Sequence, residues 1–244
     1  MIKRNNTFRK VRPYSYSYKH VVNGYSSIKK NEIMTMLDID HSTSLMIVRL
    51  DGKGLTKQSK ADGVINEKFY STMGYVMREI EKYAKIRFAY SCNDEISLLL
   101  EKEYLDERKI ENRLEKVLTY LSGYVSSLFT IEWYNQTQEM KVTSFDARAL
   151  IIDKREVKNY FLSRQRFSIQ HFIEYLCNHY QFAGKDYTIK GIDTYLKTVG
   201  RSWNSFPKII SYGIIGYHDE GKWVVKEASD FEKERNNFFL RIKE

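Results

Sequence analysis

Two aspartates in closely related settings carry the chemistry this chain could perform. Asp51 ends an apolar run and opens a glycine-rich turn, Val48-Arg49-Leu50-Asp51-Gly52-Lys53-Gly54. Asp94 sits in Cys92-Asn93-Asp94-Glu95, a short connection between the apolar runs Phe88-Ala89-Tyr90-Ser91 and Ile96-Ser97-Leu98-Leu99-Leu100. Two carboxylates that hold paired divalent ions suit in-line displacement at phosphorus. One ion activates the attacking oxygen and the other stabilises the leaving pyrophosphate. Mg²⁺ is the matching ion, because it takes a few carboxylates and fills its shell with substrate phosphates and water. Gly52 and Gly54 allow a tight turn and let the backbone lie against a triphosphate. The same residues also suit plain turns, aspartate before glycine in one and a solvated hairpin tip in the other. Spacing alone leaves both readings open.

The elements that must position these carboxylates follow from periodicity. Leu45–Leu50 reads as a buried strand, and Ile86–Ser91 with Ile96–Glu101 reads as a hairpin. Asn66 is a candidate N-cap for a helix over 66–84, whose Phe69, Met73, Val76, Met77 and Ile80 fall at helical spacing. Further helices are expected over 106–130, 156–180 and 191–199, and strands over 145–152, 209–217 and 223–226. Strand, helix, hairpin, helix, strand is a split βαβ order. It predicts an α+β fold with a palm-like polymerase/cyclase core and ferredoxin-like topology. In that fold a mainly antiparallel sheet is covered by helices on one face. The end of the first strand and the tip of the hairpin would then lie side by side, bringing Asp51 and Asp94 together.

Charge is distributed unevenly over the 244 residues. The net charge of +9 resides almost wholly in residues 1–30, which hold eight basic side chains and no acid. Beyond that arm, 32 Lys+Arg nearly balance 31 Asp+Glu. Tyr14, Tyr16, Tyr18 and Tyr25 interleave the charges, so Arg9, Lys10, Arg12, Lys19, Lys29 and Lys30 are candidate phosphate contacts with stacking partners beside them. A solvated basic tail is the competing reading. The division predicted is a basic arm over 1–30 and a palm-like nucleotidyltransferase domain over 31–244 with helical and C-terminal elaborations. No run is apolar enough to span a bilayer and no secretory h-region opens the chain, so no membrane role is expected. Two cysteines at unrelated positions form no disulfide framework, and a cytoplasmic setting is expected.

The ordered motifs resemble the tRNA-His guanylyltransferase family. Val48 to Gly54 is similar to its V-R-[IL]-D-G-[RK] segment, and Ala89 to Ser97 to its A-Y-x-x-S-D-E-x-[ST] segment. Ser144-Phe145-Asp146-Ala147-Arg148 matches its S-F-D-A-R, and Ser163-Arg164-Gln165 its [SW]-x-R-Q region. Trp203-Asn204, Pro207 and Tyr212-Gly213 are similar to a later segment of the family. The resemblance implies 3′-to-5′ nucleotidyl transfer to the 5′ end of tRNA or tRNA-like RNA, after activation by ATP or GTP. It implies two Mg²⁺ ions held by Asp51, Asp94 and the Gly52 carbonyl, with Glu95 as a further catalytic carboxylate. It implies a nucleotide site formed by Asp51, Gly52, Lys53, Gly54, Leu55, Thr56, Asn93 and Asp94, and RNA contacts from Arg164 and Gln165. Arg148 is expected to hold the fold by pairing with a carboxylate, and a homotetramer is implied by family alone.

The departures bear on substrate. Where eukaryotic members carry a D-x-H-x-N-N-like run tied to tRNA-His recognition, this chain has Phe167-Ser168-Ile169-Gln170-His171-Phe172. That favours the guanylyltransferase-like branch, which repairs truncated tRNA 5′ ends, and it leaves His171 expected as a helix-surface residue. A Lys-Pro-Asn-Asp segment is replaced by Val64-Ile65-Asn66-Glu67, so Lys53, Lys57, Lys60 and Lys68 become the candidate triphosphate lysines. Asn93 stands in place of the usual serine. Two other readings compete, a palm-type nucleotide cyclase or cyclic-oligonucleotide synthase, and a non-catalytic RNA-binding protein.

Overall fold

The apolar runs become a six-stranded antiparallel sheet in a computed structural model that describes residues 35–55, 66–107, 109–182, 184 and 186–232. The strands are β1 Ser44–Gly52, β2 Ile86–Cys92, β3 Glu95–Leu100, β4 Phe145–Asp153, β5 Ile214–Asp219 and β6 Lys222–Glu227. Their order is β4-β1-β3-β2-β5-β6. The first four strands in the order 4-1-3-2 are the expected split βαβ arrangement, in which β3 separates β1 from β2. The β5–β6 hairpin extends the sheet beside β2. The basic arm lies outside the described residues.

Helix α1, Glu67–Glu79, begins where Asn66 Oδ1 accepts from Phe69 N at 3.4 Å. After β3 comes a short helix α2, Lys102–Asp106, and then the long α3, Leu114–Thr137. The helix expected over 106–130 is thus displaced towards its C-terminus. Helix α4 spans Val157–His179, α5 Ile189–Thr198 and α6 Lys208–Ser211. Residues 209–211, expected as the start of a strand, are helical within α6, which is entered from Pro207, and β5 begins only at Ile214.

Side chains alternate across β1 and divide the interior in two. Met46, Val48 and Leu50 join α1 and α3 in the larger core, while Leu45 and Ile47 meet Val157, Phe161 and Leu162 of α4 in the second. The expectation of helices on one face is therefore corrected: α4 covers the opposite face. Its second half carries Phe172, Ile173 and Leu176 into the larger core with α5 and Trp203. The reason is visible in the strands. Nearly every residue of β2 and β3 is buried, which is the pattern of a sheet covered on both sides and not of one with a wet face. No described helix is long and apolar enough to cross a membrane.

Candidate active site

Asp51 lies at the end of β1, directly across the ladder from Glu95 of β3 on one side and Asp146 of β4 on the other. The β2–β3 connection is a two-residue turn, Asn93-Asp94, between the paired residues Cys92 and Glu95. Asn93 adopts φ 51°, a left-handed conformation that asparagine tolerates better than most residues. Gly52 N donates to the Asp94 carbonyl at 2.9 Å and Lys53 N to the Ser144 carbonyl at 2.9 Å, so the glycine turn is tied to both neighbouring strands. Gly52 keeps the turn uncrowded. A Cβ there would stand 2.5 Å from Leu55 Cδ1 and 3.2 Å from the Asp94 carbonyl oxygen. Asp51 and Asp94 are thus brought to one end of the sheet, as the topology predicts.

Alternation along β1 places Arg49 and Asp51 on the face covered by α4, and register places Ser97 and Glu95 beside them. Helix α4 answers with a single stripe. Tyr160 Oη pairs with Ser97 Oγ at 2.9 Å, Arg164 Nη2 donates to Glu95 Oε2 at 2.7 Å, and Phe167 and His171 follow one and two turns on. Arg49 Nε is 3.8 Å from the same Glu95 oxygen. Glu95 and Arg164 are only 13% and 15% exposed, and burial raises the Glu95 carboxyl above its usual range despite both arginines. The Arg49 and Arg164 Nε atoms are buried without a hydrogen-bond partner, so these guanidinium groups are not saturated. Burial, with Glu95 beside it, pushes the Cys92 thiol up to about 12, which keeps it a neutral core group. Burial, with Cys92 and Asp94 nearby, likewise raises the Tyr70 hydroxyl.

A cleft of about 200 Å³ opens between the hairpin tip and α4, lined by Asp51, Cys92, Asn93, Asp94, Glu95, Phe167 and His171. His171 is not the free helix-surface residue expected: the Asn93 amide donates to its Nδ1 at 3.1 Å, and its ring lies parallel to that of Phe167. The recurrence of 160, 164, 167 and 171 at helical spacing is the sequence signal from which this wall could be found. Arg164 belongs to the site through Glu95. Gln165, expected to meet RNA, is 2% exposed and acts as an internal strut. Its amide donates to the Tyr212 and Ser229 carbonyls and accepts from Phe231 N. Arg148 is exposed on β4 and forms no ion pair with a described carboxylate, contrary to expectation.

Trp203 and Gly213 are architectural. Trp203 Nε1 donates to Tyr212 Oη, and Gly213, at φ 87°, lies where a Cβ would be 2.4 Å from the Ser91 carbonyl. Lys53 and Lys68 are exposed, while Thr56, Lys57 and Lys60 lie outside the described residues. Among the described residues no three His, Cys, Asp or Glu side chains converge as a metal cage. Two aspartates with Glu95 already committed to Arg164 form an oxygen-only, incomplete donor set. That set fits Mg²⁺ sharing its shell with phosphates and water.

The fold is shared with known structures. A bacterial tRNA(His) guanylyltransferase-like protein in complex with ATP superposes with a TM-score of 0.71 at 22% identity, over 86% of this chain and 93% of its own. The bacterial guanylyltransferase-like protein in complex with GTP gives 0.65 at 19% identity over 86% and 93%. The tRNA(His) guanylyltransferase of Saccharomyces cerevisiae gives 0.65 at 14% identity over 86% and 99%. No curated protein matches the chain. The profile of tRNAHis guanylyltransferase (Thg1) matches residues 25–153, from before β1 to the end of β4 and so through both aspartates. The chain belongs to the tRNAHis guanylyltransferase family of nucleotidyltransferases.

Proposed function

We propose that this protein adds nucleotides in the 3′-to-5′ direction to the 5′ end of tRNA or tRNA-like RNA, after activating that end with ATP or GTP. The observation that carries the reading is the junction of Asp51 and Asp94 through the Gly52 N to Asp94 carbonyl bond, at the mouth of a cleft in a chain of this family. Asp51 and Asp94 would hold two Mg²⁺ ions with the Gly52 carbonyl, and bound Mg²⁺ supplies charge neutralisation at the phosphates and a more acidic attacking hydroxyl. Glu95 acts at one remove, aligned by Arg164 and Arg49 and in turn fixing the β3 end opposite Asp51. The Gly52-Lys53-Gly54-Leu55 turn, continuing to Thr56, and Asn93 border the triphosphate. Complexes of the bacterial relatives with ATP and GTP support the choice of nucleotides. Repair of truncated tRNA ends is preferred over strict tRNA-His guanylylation because Phe167 and Ile169 occupy the positions of the recognition run.

A reducing cytoplasm is part of the proposal, in keeping with two buried free thiols, Cys92 and Cys177. The homotetramer is a proposal too, tested by light scattering. Incubation with Mg²⁺, ATP, GTP and a panel of 5′-truncated tRNAs should lengthen the RNA, with the new residues mapped to the 5′ end. Growth at the 3′ end, or nucleotide products formed only in the absence of RNA, would overturn it.

A further inference from the structure

We propose that Phe167 and His171 form a stacking ledge for one nucleobase in the cleft, either that of the RNA end or that of the nucleoside triphosphate. The inference rests on the reading of the cleft as a nucleotidyl-transfer site. Phe161 and Phe172 on the same helix are buried, yet Phe167 is 52% exposed and turned into the cleft that holds Asp51 and Asp94. Its ring is held in place although it is half in water. The Arg164 guanidinium sits 4.7 Å from its centroid, and the His171 ring lies 6.1 Å away with only 4° between the planes.

These neighbours close a circuit around the cleft. Glu95 binds Arg164, Arg164 covers Phe167, Phe167 lies parallel to His171, His171 accepts from Asn93, and the chain runs from Asn93 through Asp94 back to Glu95. Each ring orientation is thereby coupled to the carboxylates. An aromatic face fixed in this way offers a base a preorganised partner, and stacking accepts any base because every base has a π-face. The cleft, of about 200 Å³, has room for a base against this ledge.

The test compares Phe167→Ala, Phe167→Leu and Phe167→Tyr with wild type by equilibrium binding in Mg²⁺. One arm uses non-hydrolysable ATP and GTP analogues; the other uses 5′-truncated tRNA with an intact or an abasic 5′-terminal nucleotide. Ala and Leu should weaken binding of one ligand about tenfold and Tyr should restore it, with melting temperature unchanged because the ring is half exposed. A response only in the RNA arm, absent with the abasic end, assigns the ledge to the RNA base. A response only in the analogue arm assigns it to the triphosphate. Wild type that binds both ligands while Phe167→Ala binds them equally well overturns the ledge alone. Wild type that binds neither overturns the ledge together with the reading of the cleft.

Discussion

At the scale of single residues, the site consists of side chains whose neighbours leave them little choice. Arg164→Ala would strand Glu95, 13% exposed, with Arg49 as its nearest cation at 3.8 Å. Breaking a buried pair in this way should cost about 3 kcal/mol, read as a lower urea midpoint. Gly52→Ala must displace Leu55 or the hairpin tip, so it should lower both stability and turnover, whereas Gly54→Ala meets no atom and strains only its φ of 71°. Cys92 should resist alkylation in the native protein at about pH 8, and peptide mapping should find it labelled only after unfolding. Its thiol titrates near 9 in the unfolded chain and about 12 in the fold, so the unfolded state alone loses the proton between them, and stability falls as pH rises through that window. Asp51 and Asp94 are legible because each ends an apolar run. His171 and Arg148 depart from expectation for one reason. Neither an amide on a distant hairpin nor the absence of an ion pair to a described carboxylate can be read from a residue's own segment.

At the scale of elements, the strands declare themselves more plainly than their coverage does. β1 to β4 and α1 fall close to the apolar runs that predict them, because buried strands tolerate few polar residues. The second helical layer is also written in the sequence, in the uninterrupted burial of Phe88-Ala89-Tyr90 and Leu98-Leu99-Leu100, which one-sided packing does not explain. α4 matters most here. One stripe of it builds the wall of the cleft, and Gln165 on its other side fastens the C-terminal segment by three hydrogen bonds to backbone groups. Gln165→Ala would remove these three hydrogen bonds, although the Tyr212 carbonyl keeps the one from Tyr90 Oη, at a cost of about 2 kcal/mol. The loss should appear in melting temperature and in faster exchange of the Phe231 amide. No local signal distinguishes such a glutamine from a surface one, since its partners lie 47, 64 and 66 residues away.

At the scale of the whole molecule, the RNA role proposed for the basic arm and the chemistry proposed for the sheet end can be tested apart. Removing residues 1–30 takes away eight cations and no acid. RNA affinity should fall and its salt dependence flatten by about 0.7–0.9 in log–log slope for each phosphate that is no longer neutralised, while NTP binding stays as it was. Unchanged slopes would return the arm to the role of a solvated tail. The proposed chemistry rests on the pair at the sheet end, and it is tested most directly by 5′ extension of a truncated tRNA with Asp51→Asn and Asp94→Asn beside wild type in Mg²⁺. Wild type should extend the RNA, and each variant, with melting temperature and RNA affinity retained, should lose on the order of a thousandfold in rate. Folded, RNA-binding variants that extend the RNA as fast as wild type would contradict the assignment of Asp51 and Asp94 to the metals.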